Sequence, residues 1–453
     1  MAAIANSVLP QAAAEGIGYG PMPALVTATG AVAAAGAPRG SIALQKADGS
    51  WQVYFASSAK IQLLTSVYGW TDIETGRTVT TGDDVSFCLF GKYLLNTDTT
   101  SGFKAYDIEA GGSNTTVSAA PTARYVFSCN NVVFALSCGG NTKRMQSSAI
   151  GSHSNWTTEG ADGKTFEDGG PLVCGCDLKN GAALIFQEYA MRLIQFGVGP
   201  ATYDVKKVSD GRGIVSSRSM VAFDGMVFYL STDGFYKFSL SEGNKPIGAE
   251  KVNRWLSTRI DTTEYENVQG AADPFNKVVW WRINATTLLG YDWQLDEFFT
   301  ATASTSALTR IATASLTFDD ITAAFDSILE AYDSRFFQGG QPVFGALDSS
   351  YKFATFSGGA AAATLRSCVL SGPRSKRFVW ATPVSDADDS TLAIGVSDSL
   401  SASLEWETAA TRNDEGEVPL DARGRRFAFE EAIPAGAEWT YSNGIDNIVA
   451  NED

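Results

Sequence analysis

Met220-Val-Ala-Phe-Asp-Gly-Met-Val-Phe-Tyr-Leu-Ser-Thr-Asp-Gly-Phe-Tyr-Lys-Phe238 reads as three short strands joined by two tight turns. Its apolar runs are rich in β-branched and aromatic side chains and are bounded by Asp224-Gly225 and Asp233-Gly234. Asp-Gly tolerates the positive φ of a two-residue hairpin turn, so the stretch is a β-meander. Working outward, the same kind of run appears at Trp51 to Phe55, Val85 to Phe90, Asn131 to Leu136, Ala183 to Gln187 and Lys277 to Trp281. Asp48-Gly49 and Asn180-Gly181 supply further hairpin turns just ahead of two of these runs.

The onsets near Val85, Asn131, Ala183, Met226 and Lys277 recur at steps of about 40 to 50 residues, the interval of a four-stranded propeller blade. The spacing predicts an all-β chain with a β-propeller of roughly six to eight blades. Radial closure explains how so many short strands avoid pairing with other chains. A pair of β-sandwiches is the alternative architecture. Residues 1–30, rich in Ala, Gly and Pro, read as an extended N-terminal arm that orders on docking. Residues 31–360 are assigned to the propeller. Beyond the Gly/Ala joint at 356–363, residues 361–453 read as a C-terminal β-sandwich-like module. Ile321, Phe325, Ile328, Leu329 and Tyr332 fall near helical spacing and mark one candidate helix, with a strand as the alternative.

The 453 residues are 44% apolar and 11% aromatic, with ten Trp, enough to bury a large core and to exclude a disordered chain. With 34 Lys and Arg against 50 Asp and Glu, the net charge is −16. That balance argues against a protein whose main affinity is for phosphate backbones. The first basic residue is Arg39, so no secretory signal is expected, and no stretch has the strongly apolar length of a membrane span. Cys88, Cys129, Cys138, Cys174, Cys176 and Cys368 are scattered and read as buried free thiols.

Reactive constellations are sparse. His153 is the single histidine, which excludes multi-histidine metal sites, and its polar loop reads as a solvated position. Cys174-Gly-Cys176 is too close for the usual zinc or redox pair. Gly163-Lys-Thr165 ends like a phosphate loop, but Thr158 stands where the leading glycine belongs. Asp83, Asp84, Glu188, Asp204, Asp210 and Asp233 are the carboxylates a glycosidase reading would draw on, and nothing selects a pair. Asp48-Gly-Ser-Trp51 resembles the turn of sialidase-type propellers. The sequons at Asn114, Asn155 and Asn284 matter only in a glycosylating pathway. Arg374-Ser-Lys-Arg377 and Arg423-Gly-Arg-Arg426 are basic clusters that read as a solvated face or a contact with an acidic neighbouring subunit. The expectation is a chain with no catalytic residues, no cofactor and no metal.

Asp210-Gly-Arg-Gly213, the meander from Met226 to Phe238, Pro246-Ile-Gly-Ala-Glu-Lys-Val-Asn253 and Ala272-Asp-Pro-Phe-Asn-Lys277 occur in order. With them come Ser148-Ala-Ile-Gly151 before Trp156, Ile185-Phe-Gln-Glu-Tyr-Ala-Met-Arg192, Leu289-Gly-Tyr-Asp-Trp293, Gly424-Arg-Arg-Phe427 and Ile433-Pro-Ala-Gly-Ala-Glu-Trp439. Over about residues 120–445 this order resembles the tail nozzle, or tail hub, proteins of short-tailed bacteriophages. The resemblance implies a non-enzymatic virion subunit, made in the host bacterial cytoplasm, that assembles with itself, commonly as a hexamer. It implies a ring below the portal and adaptor, contacts with tail-fibre or tail-tip proteins, and a channel that retains genomic DNA and then conducts it without sequence-specific binding. Acidic charge on the bore wall would let DNA slide. The alternative from the residues is a carbohydrate-binding or glycan-hydrolysing propeller.

Overall fold

The computed structural model describes residues 2–13, 16–66, 68–158, 160–197, 202–312 and 342–452, so the candidate helix at 321–332 lies outside the described residues. The chain opens with β1 (Ala2–Asn6), β2 (Val8–Ala13), β3 (Gly16–Pro21) and β4 (Pro23–Thr27). Blade 1 is β5 (Gly40–Gln45), β6 (Trp51–Ala56), β7 (Lys60–Leu64) and β8 (Trp70–Thr75). Blade 2 is β9 (Ser86–Phe90), β10 (Tyr93–Thr97), β11 (Lys104–Asp107) and β12 (Thr115–Thr116). Blade 3 is β13 (Ala123–Cys129), β14 (Val132–Cys138), β15 (Arg144–Ser147) and β16 (Asp162–Thr165). Blade 4 is β17 (Leu172–Asp177), β18 (Ala182–Gln187), β19 (Ala190–Phe196) and β20 (Tyr203–Asp210). Blade 5 is β21 (Val221–Phe223), β22 (Met226–Ser231), β23 (Gly234–Ser239) and β24 (Gly243–Pro246), followed by the helix α1 (Ala249–Ser257).

Blade 6 is β25 (Gln269–Asp273), β26 (Val278–Arg282), β27 (Thr287–Asp292) and β28 (Glu297–Thr302). Three strands of the last blade follow: β29 (Thr305–Ala312), β30 (Pro342–Asp348) and β31 (Phe353–Ala360). Its fourth strand is β4, paired to β31 at Ala354↔Thr27 and Phe356↔Leu25. Six of these antiparallel sheets stand as separate four-stranded units, and blade 6 is a further four-strand run continuous with the C-terminal sheet. The blade count thus lands within the expected range, and the ring closes by joining the two ends of the propeller chain through backbone hydrogen bonds.

The meander that opened the sequence reading is blade 5, and the other strong runs each fall in a blade of their own. Two of the four turns behave as the dipeptides predict: Asn180 and Gly181 have φ of 53° and 71°, and Asp224 and Gly225 have 49° and 76°, whereas at Asp48-Gly49 and Asp233-Gly234 only the glycine has positive φ. Because successive strand residues face opposite sides, a blade strand buried on both faces packs against two neighbours. Trp280 and Trp281 show this: Trp280 stacks on Phe344 of the last blade at 5.7 Å, while Trp281 meets Phe235 of blade 5 at 4.6 Å. Aromatic pairs bridge the other interfaces too: Tyr54–Tyr106, Phe103–Trp156, Phe134–Tyr203, Phe186–Tyr229 and Phe353–Tyr68. Near the axis the blades crowd, so a Cβ on Gly270 of β25 would stand 2.4 Å from Val221 of β21.

The C-terminal module comprises β32 (Ala363–Ser367), β33 (Leu370–Ser385), β34 (Thr391–Ser397), β35 (Glu405–Trp406), β36 (Ala410–Thr411), β37 (Val418–Ile433) and β38 (Ser442–Glu452). The 16-residue β37 pairs with β33 along its first part and with β34 and β32 along its last. The strands enclose a core of Phe378, Leu392, Ile394, Val418 and Phe429.

The extended-arm expectation for residues 1–30 is corrected: β1 to β4 are hydrogen-bonded sheet strands. β1 pairs antiparallel with β32 and touches β28 at Asn6↔Thr300, so it stitches the module to blade 6. The 356–363 stretch is likewise not a loose joint, because β31 continues through Ala360 against β4. Ala5, Val8, Tyr19 and Met22 are buried with Trp280, Phe299, Phe344 and Trp439 in one core. The burial of these few apolar side chains supplies what the Gly and Ala around them cannot.

Candidate functional site

The motifs that carry the family resemblance fold into turns and strand junctions. Gln187 donates to the carbonyls of Asp168 and Gly170 at 2.8 Å each and accepts from Arg192 Nε at 2.7 Å. Arg192 also pairs with Asp168, which takes Lys207 at 3.0 Å. The second motif lands on this junction: Ile214 N donates to the Gln187 carbonyl at 3.0 Å. A Cβ at Gly213 would stand 1.9 Å from that same carbonyl oxygen, so the glycine is a steric requirement of the contact. Asn253 of α1 donates to the Asp233 carbonyl at 2.8 Å, and Asp273 closes its turn by accepting from Phe275 and Asn276. These side chains are engaged in holding backbone.

The six carboxylates do not converge. Asp83 takes Arg124 at 2.9 Å, Asp84 takes Arg218, Asp210 takes Lys207 at 3.1 Å, and Asp233 takes Arg212 at 3.2 Å. Glu188 accepts from the hydroxyl of its neighbour Tyr189, and Asp204 is exposed on β20. No group of three or more His, Cys, Asp or Glu side chains with metal-holding geometry occurs among the described residues. Asp48 accepts from Ser50 within its hairpin turn, as generic Asp-Gly chemistry does.

His153 departs from the solvated reading. It is half-buried against Tyr93 at 4.2 Å, its carbonyl accepts from Trp156 Nε1 at 2.8 Å, and burial holds its pKa below the ordinary value. Cys88, Cys129, Cys138, Cys174 and Cys176 are buried free thiols, whereas Cys368 is exposed. Burial pushes the Cys176 thiol up to about 12, so it carries no thiolate near neutrality.

The two basic clusters, far apart in sequence, are brought together. β33 and β37 run antiparallel with Arg377 opposite Arg423, Lys376 opposite Gly424 and Ser371 opposite Arg426. Arg374, Arg377, Arg423 and Arg425 are exposed, and acidic residues stand among them: Asp421 at 2.9 Å from Arg377, Asp398, which accepts from Ser375 and Arg425 N, and, in backbone register, Glu452 of β38 opposite Lys376. Beside them, β38 pairs with β33 on one edge, while its other edge meets β3 only at Tyr19↔Ser442. From Gly444 onward that second edge has no strand partner among the described residues. Leu370, Val379 and Val384 of β33 and Ile448 of β38 are exposed on the same module. A basic strand pair thus lies next to an open strand edge.

The propeller axis holds a cavity of about 440 Å³ lined by residues from the innermost strand of every blade, among them Ile42, Phe87, Tyr125, Gly175, Ala222, Gln269 and Ser306. Among the described residues no helix is long and apolar enough to cross a membrane.

No protein-family model and no curated protein matches the sequence. Among solved structures, a streptogramin B lyase aligns at 10% identity over 73% of this chain and 96% of its own, with a TM-score of 0.43. The β-propeller domain of Cps50 (Swd1) from Myceliophteria thermophila aligns at 8% identity over 72% of this chain and 98% of its own, with a TM-score of 0.44. The structure titled U3-55K aligns at 8% over 63% of this chain and 89% of its own, with a TM-score of 0.39. Such distant likenesses concern chain path alone and carry nothing about activity or partners.

Proposed function

We propose that the chain is a structural subunit of a bacteriophage tail, repeated around an axis as the nozzle ring below the portal and adaptor. In that position it retains packaged DNA and conducts the genome into the host, without turnover of any substrate. The observation that carries this reading is the C-terminal module, where a basic strand pair and an open β edge stand on a chain of net charge −16. A surface of sign opposite to the rest of the molecule is complementary to a second copy of the same chain. A heterologous contact of this kind generates a ring when its rotation closes. The ordered sequence motifs supply the link to the phage tail, and the hexamer is the stoichiometry they imply. The bore is proposed to carry more Asp and Glu than Lys and Arg, a field that repels DNA from the wall.

Native mass spectrometry of the purified chain across a salt series tests this. We expect a ring species at low ionic strength that gives way to monomer as salt screens the contact. Arg374→Glu combined with Arg377→Glu is expected to remove the ring and leave the propeller folded. Saturable binding of a glycan by a chain that stays monomeric at every salt concentration contradicts the proposal and favours the carbohydrate reading.

A further inference from the structure

The axial cavity contains charge that blade packing does not require. Of its lining residues, Arg39, Asp84 and Arg218 have acidic or basic side chains. Asp84 receives Arg218 through both carboxylate oxygens, with Nε at 2.6 Å from Oδ2, so the fork of Arg218 is held in a set orientation. Arg39 stands differently. Among the described residues no carboxylate pairs with it, and its Nε is out of solvent with no hydrogen-bond partner. The nearby Arg282 is engaged through Nε with the Thr305 carbonyl at 2.9 Å. Burial first, and then repulsion from Arg39 and Arg282, depress the Arg218 pKa, with Glu266 opposing. A guanidinium keeps its proton in a protein, so Arg218 stays charged and is balanced by Asp84, while Arg39 faces the cavity without a carboxylate of its own among the described residues.

A donor buried without a partner loses its hydration with nothing in return, and the loss is greater when it is charged. The cost is offset when a ligand supplies the acceptor. The space is about 440 Å³, which admits a small ion or compact metabolite and excludes a polymer. The walls otherwise offer Tyr125, Ser217 and the backbone of glycine-containing inner strands. We propose that the propeller axis is a binding site for a small oxyanion, a phosphate or carboxylate group, clamped between the guanidinium of Arg39 and the Asp84-oriented guanidinium of Arg218. The lining residues all come from the propeller strands and loops of this chain and none from the C-terminal module.

The test is thermal unfolding and titration calorimetry of the full chain with sodium phosphate, with sodium acetate, and with sodium chloride at matched ionic strength. Phosphate is expected to raise Tm saturably where chloride does not. Acetate acting as phosphate does assigns carboxylates to the site as well; phosphate acting alone restricts it to phosphate. Arg39→Gln is expected to weaken phosphate at least tenfold while leaving the Tm without phosphate unchanged or higher, because a partnerless charge has been removed. Arg39→Lys, which keeps the charge and loses the fork, is expected to fall between, and covers the case of a Gln variant that does not fold. Equal shifts with phosphate and chloride, or an undiminished phosphate response in folded Arg39→Gln, overturn the assignment.

Discussion

At the residue scale, the strongest constraint is an ion network between blades 1 and 2. Arg77 is fully buried and donates to Glu74 at 2.7 Å, to Asp98 at 2.7 Å and to Asn96 at 2.9 Å. Lys104 and Asn114 bind the same Glu74 from blade 2. Removing Arg77 leaves buried Asp98 without its cation and Glu74 with Lys104 alone, so Arg77→Met is expected to cost about 3–5 kcal/mol in urea unfolding. Burial pushes the Glu74 carboxyl up, but Lys104, Arg77 and Asn114 outweigh it and hold the group below its ordinary 4.5. A depressed carboxylate stabilises the fold fully above its unfolded value and loses that contribution as pH falls through the folded one. Acid unfolding is therefore expected to shift to lower pH, over the range below about pH 4.5, only while Glu74 is intact, and Glu74→Gln should flatten that part of the stability curve. An unchanged acid limb in Glu74→Gln would show that the network is not coupled to folding.

At the element scale, what the sequence displayed and what it hid have one physical origin. The strands at Trp51, Val85, Asn131, Ala183, Met226 and Lys277 are legible because each is a β-branched or aromatic run buried on two faces. The strands β1 to β4 are not, because they are rich in Gly, Ala and Pro and, apart from the local pairing of β2 with β3, their partners lie at the other end of the chain, as Ala354↔Thr27 shows. Gly18 of β3 lies in the stretch read as an extended arm, yet a Cβ there would stand 2.4 Å from the Tyr441 ring. Small side chains at this place permit close packing of strands. The same logic governs the candidate sites: each basic cluster was visible, but their union depends on the register of β33 on β37, and nothing local links Arg39 to Arg218. Deleting residues 1–27 removes the outer strand of the last blade along with β1. Its expected result is a chain that loses the cooperative unfolding transition of the propeller and becomes aggregation-prone through the exposed edge of β31, read by calorimetry and light scattering. A single sharp transition at the original temperature would mean that the ring does not depend on this closure.

At the scale of the whole molecule, a propeller whose neighbouring blades are joined by aromatic pairs is a stiff body. The C-terminal module is stitched to the propeller and places the open edge of β38 beside a basic face. The tail subunit proposed above needs a body of this kind, repeated around an axis. Electron microscopy of virions in which this chain carries a gold-labelled C-terminal tag tests that placement directly. The account predicts label confined to a ring at the tail, below the portal, in every particle. Label absent from the particles, with the tagged chain recovered only as a free monomer, would contradict it.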